Sequence, residues 1–203
     1  MPAGQTQRGS RTRERLLQAA TEELVVHDGA LEFAAVASRA GVSAGAPYRH
    51  FASKSDLLVA LIDSFYDEWE ALAYRPTLSE VSDDWWLCEK ERIRLSVTFH
   101  YGHALGALMQ QQLLGDAVAV RHQRVRGERL IAGAAKNVAR GQRLGRVPAH
   151  IDAELAGALL MGGVGQCLRV ALARPRRLSR QRVVRELQDF MQRVLCIEDE
   201  VAS

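Results

Sequence analysis

Tyr48, Arg49, His50 and Lys54 lie within seven residues and bring a phenol, a guanidinium, an imidazole and an ammonium to one short stretch. Such a set suits contact with a polyanion. Tyr48 and His50 supply hydrogen-bond donors that set register on a phosphate backbone without reading sequence. Arg49 has the reach and the forked geometry to read guanine. Lys54 stands at the start of a helix, beside free backbone N–H groups that favour an anion by themselves. Catalysis finds no comparable support: no GxSxG, P-loop or HExxH pattern and no convincing Cys/His pairing is expected to serve it. His100 and His103 stand three apart, but Gly102 interrupts the helix between them and no third ligand is near in sequence, so no metal is expected. No cofactor is expected either.

These side chains must be held by helices. Apolar residues recur at three- and four-residue spacing and strict alternation is almost absent, so the chain is expected to be all-α, with about nine helices and no sheet. The first should span about 11–28, with Leu16, Leu17, Ala20, Leu24 and His27 on one stripe and Gly29 in a left-handed cap. Short helices are expected at about 33–39 and 44–50. A fourth opens with the capping box Ser53-Lys54-Ser55-Asp56 and runs to about Ala73. Pro76 makes 74–82 a loop. Further helices are expected at about 83–101, 104–113, 116–140, 152–173 and 180–197.

Between the second and third helices, Gly41 supplies the positive φ of a tight turn, Val42 can plug the gap and Ser43 can cap the third helix. This is the logic of a helix-turn-helix whose second helix enters the DNA major groove. The turn alone is equally compatible with a plain helical hairpin.

The wider pattern separates the two. From RTRERLLQAATEEL through VASRAGVS and APYRHF to SKSDLL, about residues 11–62, the chain resembles the TetR (tetracycline-repressor-like) family of bacterial transcription regulators. The resemblance implies a three-helix DNA-binding module, here 1–54, on a larger helical body, 55–203, that binds an effector and dimerises. It implies that Tyr48, His50 and Lys54 touch phosphates and that Ser43, Ala44, Gly45, Ala46 and Arg49 face bases or phosphates. Pro47 stands where the family usually has leucine. If Ser43 caps, Pro47 would fall at the fourth helical position, so the recognition helix should start as a tight or 3₁₀-like turn. Ala30-Leu31-Glu32 replaces the family's threonine cap, and a glutamate there would repel phosphate. Arg8, Arg11, Arg13 and Arg15 are either a solvated tail and first turn or a flexible arm for the minor groove.

In the body, the helix near 152–173 is rich in small residues (Ala156, Gly157, Ala158, Gly162, Gly163, Gly165), and the helix near 180–197 has a strong apolar stripe. Both are assigned to a two-fold, four-helix homodimer interface, with intramolecular packing of the same faces as the alternative. A pocket for a small, mostly apolar effector is expected between the fourth and eighth helices, lined by Phe65, Trp69, Trp86, Phe99, His103, Met109 and Met161. The resulting expectation is a homodimeric repressor of palindromic double-stranded DNA. The competing readings are a regulator controlled by a protein partner, with no pocket, and a helical enzyme or carrier.

Composition bounds these readings without selecting among them. The 203 residues are 47% hydrophobic and 25% charged, which excludes disorder. The longest apolar run, Leu155 to Gly165, is shorter than a membrane span, and the N-terminal arginines have no apolar stretch behind them. Three scattered cysteines fit a reducing cytoplasm. The formal charge of +3 hides strong local imbalance: residues 55–91 hold 2 basic and 10 acidic side chains, and 121–146 hold 8 basic and 1 acidic. Pairing between these two segments inside the body is the simplest expectation, with the acidic cluster at 63–91 otherwise a solvated face.

Overall fold

The computed structural model describes residues 3–73, 84–111 and 115–197, with side chains from residue 9 onward except that of Gln111. Among them are nine helices and no strand: α1 (Ala3–Val26), α2 (Phe33–Arg39), α3 (Ala46–His50), α4 (Lys54–Ala73), α5 (Trp85–Gly102), α6 (Gly106–Gln111), α7 (Ala117–Arg143), α8 (Ala153–Ala173) and α9 (Arg180–Val194). The expected loop at 74–82 lies outside the described residues.

Local signals end most helices where the residue types require. The α1 stripe buries Leu16, Ala20 and Leu24. Gly29, at φ 91°, donates its N–H to Leu24 O at 2.8 Å, the closing bond of a left-handed helix cap. His27, expected on the stripe, lies past the end of α1 with its side chain 56% exposed. Ser53 Oγ accepts the Asp56 N–H at 3.1 Å, which opens α4. Asp84, Asp116 and Asp152 each accept two backbone N–H groups at the starts of α5, α7 and α8. By contrast, Glu32 precedes α2 without any side-chain cap, as its length and charge suggested.

The buried apolar side chains form two cores, and α4 belongs to the first. Leu57, Leu58, Leu61, Ile62, Phe65 and Trp69 join a cluster that begins at Leu16 in α1 and ends among Leu105, Met109 and Leu130. The second cluster joins Trp85 and Val97 of α5 to Val138, Leu160, Leu187 and Leu195.

The small residues of α8 divide in a way the sequence did not reveal. Gly157 faces the α7 backbone, with Ala135 N only 2.7 Å from where a Cβ would stand. Gly163 seats the Phe190 ring of α9, 2.6 Å from its own missing Cβ. The apolar stripe of α9 is also used inside the chain, with Val183, Leu187 and Leu195 at most 2% exposed. These faces pack within the chain, the alternative to their assignment to a dimer. Open space remains on another side of α8, where Leu155 and Leu159 are more than 60% exposed and Gly162 meets nothing within 4 Å.

α8 has the length and apolar composition to cross a membrane, with only Glu154 and Arg169 charged in its 21 residues. In the fold, one side of α8 packs between α7 and α9.

The opposed charge of the two segments is partly paired. Arg126 on α7, side chain 11% exposed, meets Asp67 at 2.7 Å and Glu70 at 3.0 Å on α4. His122 meets Asp63 at 2.7 Å, and Arg146 meets Asp84 at 2.8 Å. Arg121, Arg129, Lys136, Arg140 and Arg143 stay at the surface.

Candidate DNA-contact face and effector cavities

The helix-turn-helix is built by short-range bonds. Gly41, at φ 63°, turns the chain after α2, and the Val42 N–H closes back on Ala37 O at 3.0 Å. Arg15 reaches across from α1 and donates to the carbonyl oxygens of Ala40 and Gly41. On the α2 side, Arg39 pairs with the buried Glu23 at 2.5 Å. Arg13 lies over the Phe51 ring at 5.4 Å. The turn is thus held by three arginines, two of which the sequence offers equally to the minor groove. α1 itself is helical from Ala3, so no flexible arm is found among the described residues.

Ala46 N–H donates to Ser43 O at 2.8 Å, a tight turn that delays α3 to Ala46 and puts Pro47 at its second position. There the missing N–H costs nothing, because the first-turn N–H groups of a helix have no intrahelical partner. Ser43 therefore does not cap the helix; Gly45 occupies the cap position, without a side-chain bond. Ser43, Ala44, Gly45, Tyr48 and Arg49 are exposed on one side of the head and His50 is half-buried. Ala46, expected among them, is buried with Pro47 against the head's core. Tyr48 keeps its hydroxyl side in solvent while its ring packs edge-on to Phe33 at 4.8 Å. Lys54 extends from the start of α4 but lies 3.7 Å from Glu32, whose carboxylate competes with any phosphate at that point. Sequence spacing showed the donors; it did not show this acid beside one of them.

Gly41-Val42-Ser43-Ala44-Gly45 does spell GxSxG, which corrects the expectation that the chain lacks that pattern. A nucleophile elbow needs a strand before the serine. Here helices stand on both sides, so the pattern serves the turn.

The aromatic residues expected to line a pocket are brought together, but as packing. Phe65 sits 5.1 Å from Phe99 and 4.9 Å from His103, and Trp69 donates its indole N–H to Ser96 Oγ at 3.0 Å. Trp86 is buried apart from them with its N–H unpartnered among the described residues. Two cavities lie elsewhere in the body, and none of these five residues lines either. Met109 and Met161 line an open groove of about 720 Å³ between α6, α7 and α8, whose rim carries Arg124, Glu128 and Arg169. Met161 also faces a second, largely apolar space of about 60 Å³ inside the body, between α5, α7, α8 and α9. Its walls include Trp85, Ile93, Val138, Leu160 and Met191, and its few polar groups are Glu89, Arg92, Ser96 and Asn137. Glu89, read as part of a solvated acidic face, is only 4% exposed.

His100 and His103 are engaged with backbone. His100 Nδ1 donates to Ser96 O at 2.8 Å, and His103 Nδ1 accepts the Leu105 N–H at 3.1 Å. Burial pushes the His100 pKa down to about 4. The unfolded chain takes up this proton near pH 6.5, whereas the folded protein resists it until about pH 4. Stability is therefore full above pH 6.5 and falls as pH drops toward 4, by about 3 kcal/mol for this group. Denaturant midpoints at pH 7 and pH 4.5 check this. His100→Gln should lose less on acidification than the parent, and an equal acid loss would remove His100 as the cause.

Known proteins share this fold. Residues 16–61 match the family described as bacterial regulatory proteins, tetR family. No curated protein matches the chain in sequence. Among solved structures, it is similar to SmeT, the repressor of the Stenotrophomonas maltophilia multidrug efflux pump SmeDEF, with TM-score 0.77 and 20% identity over 94% of this chain and 93% of that one. It is similar to a protein assigned to the TetR-family transcriptional regulators from Syntrophomonas wolfei, with TM-score 0.75 and 14% identity over 95% and 98%. It is also similar to the fatty acid degradation regulator FadR from Bacillus halodurans, with TM-score 0.69 and 17% identity over 88% and 93%. Residues 16–61 are therefore similar to the tetR family of bacterial regulatory proteins, and the chain shares its fold with the solved structures of SmeT and the Syntrophomonas wolfei protein.

Proposed function

We propose that the chain is a cytoplasmic, homodimeric repressor that binds a palindromic double-stranded DNA site and is released by a small, mostly apolar effector. The observation that carries the DNA reading is the exposed pair Tyr48–Arg49 on a helix whose turn is fixed by Arg15 and Arg39. Ser43, Ala44, Gly45, Tyr48, His50 and Lys54 would make the phosphate and surface contacts, and Arg49 would read a base. Ala46 supports the face from behind.

Two cations per head, Arg49 and Lys54, predict a modest salt response. For a dimer, the slope of log affinity against log salt should be about −3 to −4. Arg49→Ala should cost about 1–3 kcal/mol at the site and narrow the gap between specific and non-specific DNA. Footprinting and salt titration on the DNA upstream of the protein's own gene test both. Binding that is absent, or indifferent to salt, would sink the reading.

The dimer contact is proposed on the free side of α8, at Leu155, Ala158, Leu159 and Gly162, because that face is apolar and unfilled. The outer side of α9 carries Arg185 and Asp189, both exposed, and suits the polar rim of a two-fold contact. The apolar space among α5, α7, α8 and α9 favours a small-molecule effector over control by a protein partner, which would need no such cavity.

A further inference from the structure

A buried ion pair links the internal pocket to α4. Glu89, on the pocket wall, accepts from Arg92 Nη1 one turn later, and Arg92 Nε donates to Ala73 O at 3.0 Å. Ala73 is the last described residue of α4, so Arg92 is bonded directly to the backbone of that helix. The other end of α4 carries Lys54 and Ser55, and Ser55 Oγ donates to Asp116, the cap of α7, at 2.8 Å. The pocket's polar groups are thus one ion pair away from the helix that joins the body to the DNA head.

We infer that this pocket takes an uncharged, apolar molecule bearing one O–H or N–H donor, with Glu89 as the specificity-determining acceptor and Arg92 as the positioning residue that passes its binding to α4. The inference rests on the proposed effector-released repressor and adds the ligand's chemical class and its route of action.

The charge state is set by desolvation. Glu89 and Arg92 neutralise each other, and the remaining walls are Trp85, Ile93, Val138, Leu160, Val164, Leu187 and similar apolar groups. A carboxylate in the pocket would face Glu89 without a free partner, and a cation would compete with Arg92; either leaves an uncompensated charge where water is scarce. An uncharged molecule avoids this. A donor on it gains a charge-assisted bond to Glu89, whereas the same molecule without the donor gains apolar contact alone.

The size also constrains the occupant. The space of about 60 Å³ holds a few waters, so an aromatic ring enters only by moving a wall. Met161 on α8 and Met191 on α9 both face it, and unbranched thioethers adapt most readily. A donor that draws the Glu89 carboxylate toward the ligand draws Arg92 with it and weakens the hold on Ala73 O.

The test is calorimetric titration of the full chain with 4-ethylphenol, 4-ethylanisole and 4-ethylbenzoate, followed by release of footprinted DNA. The phenol should bind roughly tenfold or more tightly than its methyl ether, and the benzoate should not bind. Glu89→Gln should shrink the phenol–ether gap to under about threefold, with folding checked by its melting curve. Leu160→Ala, which enlarges the pocket without touching the pair, should tighten both neutral probes and keep the gap. Arg92→Lys should bind the phenol but release less DNA. Equal affinity for phenol and ether would overturn the inference and leave an apolar effector standing. No heat from any probe, in the parent and in Leu160→Ala, would overturn both.

Discussion

Gly157→Leu is expected to disrupt the whole body of this protein. The missing Cβ of Gly157 is 2.7 Å from Ala135 N, 3.0 Å from Ala135 Cα and 3.0 Å from Ile131 O. All three are backbone atoms of α7, so no rotamer change can make room. α7 and α8 must separate, and with them the walls of both cavities. Overpacking with a backbone shift costs about 3 kcal/mol or more, which for a chain of this size lowers Tm by roughly 10 °C. Gly133→Ala on α7 is the control. Nothing lies within 4 Å of Gly133, so its melting temperature should hold or rise slightly. A Gly157→Leu protein melting within about 2 °C of the parent would show that the α7–α8 contact is not a close one.

Leu159→Glu should separate the proposed dimer and leave each subunit folded. Leu159 is 61% exposed and Leu155 64% exposed, so neither supports the subunit's own core. Across a two-fold axis a residue meets its own copy or its neighbours, and two carboxylates would be placed in a dry contact. Sedimentation at micromolar concentration should give a monomer with unchanged helix content. Affinity for palindromic DNA should fall about 100-fold or more, because each head then binds a half-site alone. Arg185→Ala, on the polar rim, should change either quantity little. An undiminished dimer would move the contact to another face.

The helix-turn-helix segment was legible because its rules act over a few residues. Gly29, Gly41 and Ser53 each act through a bond or dihedral within five positions, and the structure repeats them. Pro47 is instructive in the same way. Its ring does force a tight turn, but the chain meets the constraint by starting α3 later, which turns Ala46 inward. The arginines of α1 were open to two readings for the opposite reason. Arg15 and Arg13 are identical in type to DNA-contact residues, and only the packing of α1 across the turn shows that they hold it.

In the body the sequence signals were correct in kind and ambiguous in direction. Apolar and small residues mark a contact face without naming the partner. Gly157, Gly163 and the α9 stripe found theirs within the chain, while Leu155 and Leu159 did not. Aromatic residues mark a core as well as a pocket, and Phe65, Trp69, Phe99 and His103 fill theirs against one another.

The sequence by itself determined that this is an all-helical chain with a helix-turn-helix carrying Tyr48, Arg49, His50 and Lys54. Hydrogen bonding and backbone sterics over three to five residues are sufficient for that. Only the tertiary structure decided that Glu89 is buried beside an apolar pocket, that Arg92 ties it to Ala73 of α4, and that one side of α8 remains open. Those outcomes depend on which helices pack together across roughly 20 to 100 residues of chain, and residue type and local spacing do not encode that.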